Sequence, residues 1–218
     1  MTPHSVFISG GTGYIGRVLA AQLLARGHRV LVLARPGSER KVPPGAVAIP
    51  GNALDADSFA PRLDGVDTLV HLTGTPHPAP WKEREFRAVD QASLRASAEA
   101  AVAAHLPHFV YVSVAHPAPT MKAYIRVRME CEALLEELGL VRTILRPWYV
   151  LGPGHNWPRV LQPVYALMER TARFREGAQR LGLVTLEEMT SALVWAVENP
   201  PARVRVLDVP GIRECRRR

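Results

Sequence analysis

The run Gly10-Gly11-Thr12-Gly13-Tyr14-Ile15-Gly16 has the composition of a loop that lets backbone approach a ligand. Glycine at 10 suits a tight turn, glycine at 13 lets main chain come close to a pyrophosphate, and glycine at 16 lets a helix pack near the preceding strand. The chemistry on offer is anion binding, because the N–H groups and positive dipole end of a following helix hold phosphates. The glycines fall as G-x-x-G-x-x-G, so the flanking elements carry much of the argument, and a purely structural turn is the alternative. A second signal is Arg35, with Arg40 and Lys41 close behind, after the next apolar run. An acidic residue at that corner would bond an adenosine 2′-hydroxyl, whereas an arginine accommodates a 2′-phosphate. NADP(H) is therefore expected over NAD(H), with a solvated loop arginine as the other reading. His77, His116 and His155 each follow an apolar run, in loops where a histidine is either a proton donor or simply solvated. Trp81, Trp148, Tyr149 and Trp157 are candidate walls for a flat, apolar substrate, or ordinary packing. There is no H-x-x-x-H or C-x-x-C spacing, and no metal is expected.

The elements needed to position these residues follow from the apolar patterning. Ser5–Ser9 reads as a buried strand, and Arg17–Arg26 has helical spacing closed by Gly27. His28–Ala34 and the brief Ala46–Ile49 read as strands, and Asp55 is the expected N-cap of a helix through about Leu63. Asp67–Leu72 is a fourth strand, and an alanine-rich helix is expected from near Glu83 to His105. Phe109–Ser113, a helix over Met121–Leu138 and Val141–Leu145 complete the regular part. Beyond Pro147 the pattern thins to a helix over Trp157–Arg173, a capping-box helix opening at Thr185 and ending at Glu198, and a strand over Val204–Val209. Strands alternating with helices predict an α/β architecture, a Rossmann-type doubly wound parallel sheet with helices on both faces. A single domain over 1–218 is expected, its core about 1–150 and the remainder a small substrate-side extension.

The totals exclude several other classes. With 218 residues, 47% hydrophobic and 22% charged, the chain has the balance of a globular protein. No apolar run is long enough to cross a bilayer, and no basic-then-apolar leader precedes the first strand. Cys131 and Cys215 suggest no disulfide framework, so the cytoplasm is the expected location. The net charge of +7 includes the Arg216-Arg217-Arg218 tail, and the other arginines are dispersed; neither a membrane nor a nucleic-acid partner is expected.

Taken together, the motifs resemble the extended and atypical short-chain dehydrogenase/reductases over nearly the whole chain. Gly10–Gly16 is similar to the family's opening turn, and Gly51-Asn52 stands where the family has Gly-Asp. Leu72-Thr73-Gly74 is similar to the segment lining the adenosine and ribose. Thr143-Ile144-Leu145-Arg146-Pro147, with Gly152-Pro153-Gly154, is similar to the strand and loop beside the nicotinamide. The resemblance implies cofactor contacts from Asn52, Ala53, Leu72, Thr73, Gly74, Ser113, Pro147 and Trp148, in addition to the glycine turn and Arg35. It also implies a catalytic Tyr-x-x-x-Lys pair, in which the phenol exchanges a proton with the substrate and a cation one helical turn away lowers its pKa and binds the nicotinamide ribose.

Tyr124 and Arg128 occupy those two positions, and Glu132 matches a glutamate common at the next turn. Three departures are visible. Arginine replaces the lysine, Val114 stands at the family's serine, and Asp90 stands where many members have asparagine. Three functions follow as expectations. The first is hydride transfer from NADPH to a small carbonyl, quinone or flavin-like acceptor, by a monomer or homodimer. The second is a non-catalytic NADP(H)-binding redox sensor or assembly protein. The third is a sugar-nucleotide epimerase or dehydratase, disfavoured by the short stretch after Pro147.

Overall fold

The computed structural model of the chain describes residues 2–152 and 181–216. The expected helix over Trp157–Arg173 therefore lies outside the described residues. Strand β1 (Ser5–Ser9) runs into helix α1 (Tyr14–Ala25), which starts a turn earlier than its apolar spacing indicates because Gly13, in extended conformation, serves as its N-cap. The helix is closed by Gly27 at φ 83, a conformation that glycine adopts without strain, and the chain then enters β2 (Arg29–Ala34). Next come β3 (Val47–Pro50) and β4 (Thr68–His71).

A short helix, α2 (Glu83–Glu85), continues through a π-helical turn over Phe86–Gln91 into α3 (Ala92–Ala103). Then follow β5 (His108–Val112), α4 (Lys122–Glu137) and β6 (Arg142–Leu145). Two three-residue strands, β7 (Tyr149–Leu151) and β8 (Leu183–Thr185), pair in parallel with each other. The described chain ends with α5 (Leu186–Glu198), β9 (Val204–Leu207) and α6 (Val209–Cys215).

The main sheet has seven parallel strands in the order β3-β2-β1-β4-β5-β6-β9. It is the doubly wound Rossmann-type sheet expected from the sequence. Alternation along each strand divides the core between its faces. Phe7, Leu31, Leu33, Phe109 and Tyr111 pack with Leu94 of α3 and Val127, Cys131 and Leu135 of α4. Val6, Ile8, Val30 and Val32 pack with Leu19 and Leu23 of α1, Leu193 and Val197 of α5, and Ile212 of α6. Strand order reverses between β1 and β4, so the crevice beyond their carboxyl ends is where such a sheet takes a ligand.

Three elements differ from the sequence expectation. The helix predicted from Asp55 is a pair of 3-10 turns, Ala56–Ser58 and Ala60–Arg62, and Asp55 makes no side-chain cap bond. Pro61 lacks the N–H that an α-helix would need there, which explains the break. The helix predicted from Glu83 is interrupted by the π turn, with Phe86 and Asp90 buried within it. After β9, Asp208 caps α6 by accepting from the Gly211 N–H at 3.0 Å, where the sequence reading had strand continuing to Val209.

Candidate active site

The glycine turn closes on itself through a 3.0 Å bond from the Gly13 N–H to the Gly10 carbonyl. Two of its glycines are required by the protein's own packing. A Cβ on Gly16 would lie 2.5 Å from the Gly10 oxygen and the Gly11 Cα, and one on Gly10 would lie 2.7 Å from the Leu72 carbonyl carbon. Gly13 is exposed, and a Cβ there would meet only the Gly10 oxygen, at 3.1 Å. No side chain caps α1, and no acidic residue occupies its first turn. The amino end of this helix is therefore shaped and polarised for an anion, which fits the diphosphate of a dinucleotide.

Further along the carboxyl edge, Arg35 is exposed just past β2, and its carbonyl accepts from the Ser38 N–H at 2.8 Å. Among the described residues neither Arg35 nor its neighbours Arg40 and Lys41 has an acidic partner. Beside it, the Gly51 N–H bonds the Ala34 carbonyl, so Asn52 and Ala53 follow β3 at the same edge. The Asn52 amide oxygen accepts from the Leu54 N–H at 3.1 Å, and Ala53 packs against the core margin.

The loop after β4 meets the glycine turn directly. Thr73 and Ser9 hydroxyls share a 2.7 Å hydrogen bond, and Leu72 packs on the α1 side of the sheet. Beneath Gly74 lies the catalytic pair that the resemblance implies. The Arg128 guanidinium stacks over the Tyr124 ring, 4.9 Å from its centroid. Its Nη2 bonds Asp90 Oδ1 at 2.6 Å, and its Nη1 donates to the Tyr111 hydroxyl at 3.2 Å and the Val112 carbonyl at 3.0 Å. Burial raises the Tyr124 pKa above the ordinary phenol value, and the nearby guanidinium offsets this only in part. Burial also disfavours the Arg128 charge, but Tyr111, Tyr124 and Asp90 together hold it firmly cationic.

A second polar cluster closes the ends of β5 and β6. The Ser113 hydroxyl donates to Glu132 Oε1 at 2.5 Å, and Arg146 grips both oxygens of the same carboxylate. His116 Nε2 stands 3.6 Å from Glu132 Oε1. Val114, at the serine position of the family, is buried. Pro147 accepts a bond from the Ala115 N–H at 2.9 Å, and Trp148 is half-buried behind it. Tyr14 opens α1 with its hydroxyl packed on Gly152, where a Cβ would be 1.7 Å away. Ile15 packs into the α1 face of the core, and Thr12 is half-buried in the turn.

Of the suggested pocket walls, Tyr149 is half-buried in β7 and Trp81 is 83% exposed. His77 is exposed in the loop after β4. Pro153, Gly154, His155 and Trp157 lie outside the described residues. Thr75, which no motif marks in the sequence, bonds Asp90 Oδ2 through both its N–H and its hydroxyl, at 2.9 and 2.5 Å. Its only advance signal was its place after Thr73-Gly74. Among the described residues, no group of three or more His, Cys, Asp or Glu is placed to hold a metal, and no helix is long and apolar enough to cross a membrane.

Known proteins share sequence and fold with this chain. The profile of the NAD(P)H-binding family matches residues 10–163. A 3β-hydroxysteroid dehydrogenase/Δ5→4-isomerase of Mycobacterium tuberculosis is 31% identical over 115 residues, which cover 50% of this chain and 31% of that protein. Ceramide reductase of Caulobacter vibrioides is 27% identical over 209 residues, 89% of this chain and 61% of the relative. The chain thus spans less than two thirds of the length of these relatives. Among solved structures, the Bordetella bronchiseptica enzyme WbmH, crystallised with NAD+, superimposes with a TM-score of 0.71 at 22% identity, over 95% of this chain and 75% of that one. That likeness concerns the fold.

Proposed function

This chain belongs to the NAD(P)H-binding family, and on that premise we propose that it is an NADP(H)-dependent oxidoreductase of the atypical short-chain dehydrogenase/reductase type. Its substrate is a small apolar carbonyl, quinone or flavin-like acceptor. The observation that carries the reading is the amino end of α1, which among the described residues has no side-chain cap bond and no acidic residue in its first turn, at the strand-order reversal between β1 and β4. The preference for the 2′-phosphorylated coenzyme rests on Arg35, a cation without a carboxylate partner among the described residues, just past β2. When bound, NADPH would supply hydride chemistry to the acceptor, with the accompanying proton drawn from Tyr124 or solvent.

The chain's own residues hold the diphosphate at Gly13–Gly16, the adenosine along Asn52 and Leu72–Gly74, and the nicotinamide end near Ser113, Pro147 and Trp148. Tyr124 keeps its proton tightly, so it is a weak donor. Acceptors that need little acid assistance are therefore favoured, because cofactor placement alone lowers much of their barrier. The names of the steroid and ceramide relatives point the same way, towards apolar substrates. Stopped-flow mixing of NADPH-loaded protein with panels of quinones, flavins and apolar ketones tests this. Cofactor oxidation above the protein-free rate is expected with at least one class.

A second reading is favoured by one observation, the engagement of Arg128 by Asp90 beside a phenol of raised pKa. It is a non-catalytic NADP(H) sensor. It expects no oxidation with any acceptor, together with a protein partner whose capture depends on NADPH.

A further inference from the structure

Two of the three departures from the family's catalytic pattern meet each other in the folded chain. Asp90 and Arg128, 38 residues apart, form an ion pair in which the Asp90 side chain has 0% and the Arg128 side chain 8% exposure. Either charge alone would be costly at that depth, and each supplies the other's compensation. The planar Arg128 head reaches Asp90, the Tyr111 hydroxyl and the Val112 carbonyl at once through its two terminal nitrogens.

The pair is tied to the loop after β4 by what lies on it. The π turn carries Asp90, whose second oxygen takes both donors of Thr75. Gly74 rests directly on the two charges, for a Cβ there would be 2.7 Å from Arg128 Nη2 and 3.0 Å from Asp90 Oδ1. The preceding Thr73 is bonded to Ser9, and Leu72 and Thr73 abut Gly10. A continuous path of contacts therefore runs from α4 through Asp90 and the loop after β4 to the turn that faces the diphosphate.

We propose that Asp90 and Arg128 are positioning residues for the dinucleotide. Together they fix Thr73–Thr75 against the glycine turn, so that the cation at 128 acts through that loop in addition to its contact with the Tyr124 ring. The inference rests on the reading that the cleft binds NADP(H).

The test uses the full chain, with calorimetry of NADP+ binding and amide hydrogen exchange without nucleotide. Asp90→Asn is expected to weaken NADP+ about tenfold and Thr75→Val about threefold, in line with lost hydrogen bonds to a charged group. The two effects are expected to be less than additive in the double variant, since the Thr75 hydroxyl bonds Asp90 itself. Exchange at the 73–75 amides is expected to quicken in both variants. Arg128→Lys separates the two roles of the cation. A cation serving the loop predicts weaker NADP+ binding, whereas one serving the phenol predicts unchanged affinity and a faster single turnover. Should Asp90→Asn fail to fold, Thr75→Val and Arg128→Lys decide the matter. Wild-type affinity and wild-type exchange in these two would overturn the positioning role alone. Failure of the unaltered chain to bind either pyridine coenzyme would overturn the functional reading, and this inference with it.

Discussion

Gly13→Ala isolates what the glycine turn does for a ligand from what it does for the fold. The protein itself has little need of glycine at this position. The backbone there is extended, at φ −81 and ψ −177, which any residue adopts, and an added Cβ would meet only the Gly10 oxygen at 3.1 Å. Relief of that contact asks for a shift of a few tenths of an ångström. The reduced freedom of the unfolded chain returns about 0.4–1 kcal/mol, so the net change in stability should stay within about 1 kcal/mol. A diphosphate closing on the exposed side of Gly13 would meet the new methyl group directly. We expect NADP+ affinity to fall at least ~30-fold, about 2 kcal/mol, through loss of close backbone approach.

Gly16→Ala provides the contrast. Its Cβ would sit 2.5 Å from main-chain atoms of Gly10 and Gly11, which have no flexible end to give way. Overpacking of that kind costs about 1–3 kcal/mol of stability with no ligand present. Urea titration and calorimetry on the two variants read both quantities. An alanine at 13 that folds normally and binds NADP+ as tightly as the wild type would refute the assignment of this turn to the diphosphate.

Other perturbations separate cofactor choice from stability. Arg35→Ser should weaken NADP+ about tenfold while leaving NAD+ nearly unchanged, by calorimetry with each coenzyme; equal losses for both would remove the 2′-phosphate role. Burial, reinforced by the Arg128 charge, lowers the His71 pKa to about 3, and burial lowers that of His108 to about 4. Both are neutral in the folded chain, so their stabilisation is complete above the unfolded value of 6.5 and is lost as pH falls towards 4 and 3. At pH 5 each should have lost ~2 kcal/mol, and a urea midpoint equal at pH 7 and 5 would contradict this. Thr185→Ala removes the cap of α5, whose hydroxyl accepts from the Glu188 N–H at 3.1 Å. A loss of about 1 kcal/mol in urea unfolding is expected.

Much of the frame was legible because its signals are local. A glycine turn between a buried strand and a periodic helix, or threonine followed three residues later by glutamate, states its structure within a dozen residues. Pro61 carried an equally local warning against the helix drawn from Asp55, and Asp208 with Pro210 announced α6 in the same way. The π turn has no comparable signature, because Phe86–Gln91 reads as ordinary helix and only packing against Thr75 and Arg128 distinguishes it. The site divided along the same line. Arg128 and Asp90 were each visible as departures, but that one answers the other depends on α4 packing against the π turn, which no spacing along the chain encodes. The Ser113–Glu132–Arg146 cluster likewise joins β5, α4 and β6.

The contact between Tyr14 and Gly152 ties the segment after β7 to the first residue of α1. With a methyl group at 152 falling 1.7 Å from the phenol oxygen, any larger residue there would drive the first side chain of α1 out of place. Loops exchanged after β6 to alter substrate preference must therefore keep that glycine or bring a smaller partner at position 14. Diversification of the family around this scaffold would then be expected to move the two positions as a couple.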